Sequence, residues 1–170
     1  MKRLFFFIGL VCFSLTVSFA QNKKADQEAV AKAKFEKAIA AIEAKDFVII
    51  VDTWESPRGT IETNTDNSNF LSYEKELVFM QGSIFFGLTD ATHQMNVSDY
   101  NQVVDKKDNI KIEMQVRGSL IAAKIEIFLR SGSNYAYVIS YPTKGRSIRF
   151  TGEIVPVAES KYIKRAGIVY

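Results

Sequence analysis

Among its 170 residues the chain has one histidine, His93, and one cysteine, Cys12. A single imidazole works as a general base only beside a nucleophile, and as a metal ligand only beside other ligands. No G-x-S-x-G elbow, no G-x-x-x-x-G-K-[ST] phosphate loop and no H-E-x-x-H zinc helix occurs. Asp66 is the one carboxylate in the run Asn64 to Asn69, which lacks the acidic spacing of a calcium loop and reads as a turn. His93 stands in a polar stretch and reads as a surface residue in a loop. Carboxylates elsewhere can be paired on paper for glycoside chemistry, but nothing in their spacing selects a pair. The sequence therefore predicts no catalytic residue, no metal ligand and no cofactor, and so no enzyme.

The aromatic residues offer binding rather than catalysis. Tyr135, Tyr137 and Tyr141 share one face of a predicted strand, and Trp54 stands beside the turn at Pro57. A tyrosine pointing inward needs either a partner for its hydroxyl or a wet cavity around it. Barrels of about eight strands are just wide enough to fill themselves or to hold one small ligand. The ligand-lining set this predicts is Tyr137, Ile139, Ile125, Ile127, Ile112 and Met114, in a partly polar interior cavity. The alternative for the same residues is plain core packing.

These side chains have to be positioned by β-structure. Met1 to Arg3 is basic, Leu4 to Val17 is apolar, and Ser18, Phe19 and Ala20 end in small residues, which predicts a cleaved leader over residues 1–20. The leader carries Cys12 away, and its loss of Lys2 and Arg3 lowers the 22 basic side chains to 20 against 19 acidic ones. A near-neutral exported chain without cysteine has no disulfide framework and no electrostatic case for nucleic acid. No later apolar run is long enough for a transmembrane helix. Residues 21–45 are rich in Ala, Lys and Glu, with Ala31, Phe35, Ala38, Ile39 and Ile42 on one stripe, so they predict an amphipathic helix docked on its own domain.

From Asp46 to Tyr170 the pattern changes to short strands and tight turns. Phe47 to Val51 is apolar on both faces and predicts a well-covered strand. Ile110, Ile112, Met114 and Val116 alternate with Lys111, Glu113, Gln115 and Arg117, which predicts a strand with one buried face. Ile121 to Leu129 repeats that alternation, and Tyr135 to Tyr141 and Ser147 to Val155 follow after turns. Gly82 to Gly87, reading GSIFFG, predicts a further strand, whereas Leu88 to Ser98 reads as irregular. The whole is mainly β: an antiparallel up-and-down barrel of about eight strands over residues 46–170, preceded by one N-terminal helix.

Three pieces together resemble an uncharacterised family of small exported bacterial proteins, domain of unknown function 4251. They are the leader and Lys/Glu/Ala helix running into Phe47 and Val48, the GSIFFG segment, and the terminal strand from Ser147 to Pro156. The resemblance implies a lipocalin-like barrel in a Gram-negative envelope and supplies no catalytic residues. This chain departs from the family pattern in lacking its usual proline at GSIFFG and in running on from Val157 to Tyr170.

The function these features predict is a non-enzymatic periplasmic barrel that binds a small apolar or amphipathic molecule. One alternative is a protein-binding or inhibitor module with an unidentified protein partner, acting through barrel-end loops such as Thr89 to Asp99. Another is a small outer-membrane barrel, against which stand strands as short as Thr60 to Thr63.

Overall fold

The computed structural model describes residues 25–86 and 91–170, so the leader expected over residues 1–20 lies outside the described residues. A helix, α1, covers residues 25–43. The strands that follow are β1 (Phe47–Glu55), β2 (Ile61–Thr63), β3 (Phe70–Glu74), β4 (Leu77–Gln81), β5 (Thr92–Val104), β6 (Ile110–Arg117), β7 (Ala122–Leu129), β8 (Tyr135–Pro142), β9 (Ile148–Pro156) and β10 (Ile168–Val169), with a one-turn helix α2 (Ser83–Phe86) between β4 and β5.

Eight strands close a barrel in the order β1, β3, β4, β5, β6, β7, β8, β9, and β9 returns to β1. Every ladder in the closed ring is antiparallel between neighbours, as tight hairpin turns require. At the β3–β4 hairpin, Lys75 and Glu76 both take positive φ, the twist a two-residue turn needs. Two accessory strands fill gaps left by staggered ends. β2 pairs with the second half of β1, where β3 has stopped. β10 runs parallel to Thr92 and His93, beyond the end of β6.

The inward faces of all eight strands form one packed cluster, joined by Ala38, Ala41 and Ile42 of α1. Helix α1 closes the barrel end that carries the β3–β4 and β7–β8 turns: Lys34 of the helix pairs with Glu153 at 3.0 Å, and Lys45 in the turn that follows it pairs with Glu76 at 3.5 Å. The apolar stripe read along the helix is therefore spent on its own barrel. At the other end α2 inserts Phe85 edge-on against Phe150, with ring centroids 5.3 Å apart. Among the described residues no helix is long and apolar enough to cross a membrane.

β1, β3 and β4 are apolar on both faces, as the β1 sequence requires. Their outward Val48, Phe70 and Phe79 form a second cluster, covered by Tyr162 and Val155. The C-terminal residues 157–170 thus supply the outer layer these strands need, crossing β3 and β4 on the way to β5.

Two expectations from the pattern fail. Ser83–Phe86 is a helical turn and not a strand, because Gly82 takes φ +123 with the Asn69 side chain packed where its Cβ would be. That conformation ends β4 and turns Phe85 into the barrel mouth. The stretch read as irregular is mostly strand: Thr92 to Ser98 belongs to β5, of which Thr92, His93 and Met95 are buried. Its mixed polarity hides the period because its outward residues are amides and its inward ones include His93.

Gly152 has no room for a side chain, since an added Cβ would collide with the Ile50 carbonyl oxygen across the β1–β9 seam. The neighbouring register shift falls on β1 between Val51 and Thr53. Gly152→Ala is expected to lower unfolding stability by more than about 2 kcal/mol in urea titrations. Gly167→Ala, with nothing within 4 Å of the new methyl, should stay within about 0.5 kcal/mol of wild type.

Candidate functional site

Cross-strand partners share a face of the sheet, so register decides which predicted site residues meet. Ile125 pairs with Ser140 and Ile127 with Val138, while Glu126 pairs with Ile139 and Phe128 with Tyr137. Ile112, Met114, Ile125 and Ile127 therefore face the interior, where each is at most 1% exposed. Tyr137 and Ile139 face outward, and Tyr137 is 40% exposed. The six residues do not line one cavity. The inward residues of β8 are instead the small Ala136, Val138 and Ser140. The eight-stranded interior already holds Phe47, Tyr73, Phe85, Phe150 and three methionines, which leaves no volume for the tyrosines of β8.

The large concavity lies outside. A groove of about 1010 Å³ crosses the outer face from β5 to β9, beside the Asp105–Asn109 turn. Its floor is Phe128 and Tyr137, whose rings are 6.3 Å apart at 35°, with the Lys111 ammonium 5.3 Å from the Phe128 ring. Asn101 and Val103 of β5 form one wall, and Tyr135 and Thr151 the other. The Tyr135 hydroxyl donates to the Asp52 carboxylate and accepts from Thr151 Oγ1 at 3.2 Å. Burial, followed by that bond to Asp52, raises the Tyr135 pKa above its ordinary value.

Lysines and glutamates on β6 and β7 interlock beside the floor. Lys111 meets Glu113 at 2.6 Å, Lys124 meets Glu126 at 2.7 Å, and Lys124 also reaches Glu113 at 3.3 Å. The hydrogen bond from Lys111, then that from Lys124, lowers the Glu113 pKa. Two neighbouring ammonium groups favour the ionised form of that carboxylate. Besides these charges, Asp105 and Arg130, the groove presents the Phe128 and Tyr137 rings, the Asn101 and Asn109 amides and the Thr151 hydroxyl.

Phe128, Lys111, Glu113 and Asn101 escaped the reading of the sequence. The signal for Phe128 was there: it occupies the outward phase of β7, otherwise Lys124 and Glu126. A large ring in an otherwise charged phase places a half-buried aromatic on the outer face of β7.

The other polar candidates go elsewhere. His93 is not at the surface; it is 5% exposed inside β5, opposite Met80. The Asn64 to Asn69 run is a turn in which Asp66 accepts the Ser68 amide at 2.8 Å and the Ser68 hydroxyl at 2.6 Å. Those two bonds hold the Asp66 pKa below its ordinary value. Among the described residues no three His, Cys, Asp or Glu side chains come together to hold a metal.

A protein-family model described as "Domain of unknown function (DUF4251)" matches residues 29–154. The chain belongs to the DUF4251 family. A crystal structure of a DUF4251 family protein from Bacteroides eggerthii superposes on it with a TM-score of 0.69 at 25% identity, covering 78% of this chain and 94% of that one. No curated protein matches. All the residues lining the groove fall inside the DUF4251 match, whereas the tail from Val157 falls beyond it.

Burial lowers the His93 pKa from 6.5. The unfolded chain then takes up a proton at a pH where the folded chain does not, so stability is complete above pH 6.5 and is lost as the pH falls below it. Urea midpoints measured across this range should drop with acidification, by up to about 1.4 kcal/mol per pH unit from this group. His93→Gln should flatten that part of the profile; an unchanged slope would assign the loss to other groups.

Proposed function

We propose that this DUF4251 protein is an exported, non-catalytic binding protein of the cell envelope that holds a small neutral, amphipathic molecule in the groove outside its filled barrel. The observation that carries this reading is the pair of neighbouring rings, Phe128 and Tyr137, on the groove floor beside interlocked charges. Ring faces favour apolar or CH-rich surfaces, while Asn101, Thr151 and the Tyr137 hydroxyl can orient polar groups. The volume of the groove is within the upper end of the range that small-molecule sites occupy. The leader pattern of residues 1–20 supports export. The absence of a nucleophile–base motif in the sequence supports a non-catalytic role.

The outer-membrane alternative loses ground to the same surface. A spanning barrel turns an apolar band to lipid, and here the outward phases of β6 and β7 carry Lys111, Glu113, Lys124 and Glu126. β3 and β4 are five residues each, against about nine to eleven for a spanning strand. The loop alternative loses its loop, since Thr92 to Asp99 is strand β5.

Native mass spectrometry of the full chain, purified without detergent, tests the proposal. Wild type is expected to carry added mass, and Tyr137→Ala to lose it while keeping its urea midpoint within about 0.5 kcal/mol. Ile127→Ala should cost about 2–5 kcal/mol of stability and keep the added mass. Bare wild-type protein, or a ligand lost on Ile127→Ala but not on Tyr137→Ala, would overturn the reading.

A further inference from the structure

Residues 157–170 lie beyond the family match, yet the barrel holds them as a receptor holds an extended peptide. Gln81, fully buried at the end of β4, clamps the tail backbone: its Nε2 donates to the Ile163 carbonyl at 2.7 Å and its Oε1 accepts the Arg165 N–H at 2.8 Å. The amide is locked in that orientation by two barrel groups. Nε2 also donates to the Ser68 carbonyl at 2.9 Å, and Oε1 accepts the Thr92 hydroxyl at 2.5 Å. All four hydrogen-bonding positions of the side chain are filled, two by the barrel and two by the tail.

Side-chain recognition has the period of an extended strand. Tyr162 packs edge-on against Phe70 at 4.7 Å and donates its hydroxyl to Glu74 at 3.1 Å. Two residues on, Lys164 reaches both Glu74 oxygens at 3.1 and 3.2 Å and sits 3.2 Å from the Phe79 ring centroid. The alternate residues Lys161, Ile163 and Arg165 are exposed. Past Arg165 the Thr92 N–H donates to the Gly167 carbonyl at 3.2 Å, and β10 adds to the edge of β5. Backbone bonding to a free edge with pockets for alternate side chains is the mode of β-strand addition.

We propose that the outer face of β3 and β4 with the open edge of β5 is a peptide-binding surface specific for tyrosine and lysine two residues apart, filled in the single chain by its own tail and able to take the same tail from a second copy. The receptor residues Phe70, Glu74, Phe79, Gln81 and Thr92 all belong to the family domain, while the segment they hold is appended to it. Exchange between copies keeps every one of these contacts, so the balance is set by concentration: the attached tail wins when chains are dilute, and a second copy competes as their concentration nears the effective concentration of the tether. The surface is separate from the groove on β5 to β9, and its test does not depend on that site.

The test uses the full chain and a fluorescent synthetic peptide of residues 157–170. Tyr162→Ala/Lys164→Ala weakens the attached tail without touching the receptor; this variant should bind the peptide at least about 100-fold more tightly than wild type, whose site is occupied. Adding Gln81→Ala, or the milder Glu74→Gln, should weaken peptide binding by about tenfold or more. Amide hydrogen exchange on the double variant should show tail amides released and β6 to β8 still protected. Tail release without peptide binding would overturn the proposal, as would tail amides that stay protected. Loss of protection throughout the barrel would also overturn it, by making the tail part of the folding unit rather than a ligand.

Discussion

The seam between β1 and β9 is the contact on which the rest depends. Eight strands make a barrel only if the last pairs with the first, and that ladder runs from Phe47 opposite Pro156 to Trp54 opposite Phe150. Gly152 lets the two backbones approach where a side chain would strike Ile50. Closure removes the sheet edges that would otherwise invite aggregation and gives every strand one inward face. With no cysteine outside the first twenty residues, the inward faces have to supply the stability by packing.

Closure at eight strands also limits what the interior can hold. Rings at both ends, Phe47 near α1 and Phe85 against Phe150 near α2, complete a core that is continuous from one mouth to the other. The open concavity is on the outside, where the strands β5 to β9 carry a groove floored by Phe128 and Tyr137. The paired charges beside it are half-buried. Their consequence is electrostatic: the hydrogen bonds from Lys111 and Lys124 lower the pKa of Glu113.

The barrel is not uniform around its circumference. β6 to β9 alternate cleanly and tolerate water on their outer faces, whereas β1, β3 and β4 bury both faces and need a cover. The C-terminal segment provides it through Tyr162 and through the locked amide of Gln81. A buried glutamine with all its bonds satisfied is specific as well as stable, since removal of the tail would leave two of its positions unpaired.

Local pattern alone determined much of this. The period of two in Ile110 to Arg117 and Ile121 to Leu129, the turns between them, the helix stripe around Phe35 and Ile42, and the two-faced apolarity of Phe47 to Val51 all follow from side chains a few residues apart. They establish strands, hairpins and a meander, and short hairpins leave few topologies besides a barrel. Tertiary structure decided the rest. Tyr137 and Tyr141 of β8 are outside because register sets them opposite Phe128 and Lys124, and register is a relation between strands that neither strand carries alone. Ser83–Phe86 is helical because Asn69, thirteen residues before Gly82 in the chain, packs against that glycine from the residue preceding β3. His93 is buried because β5 pairs on both edges, with β4 and with a tail that arrives from the far end of the sequence. Contacts of that span depend on closure, and closure is a property of all eight strands together.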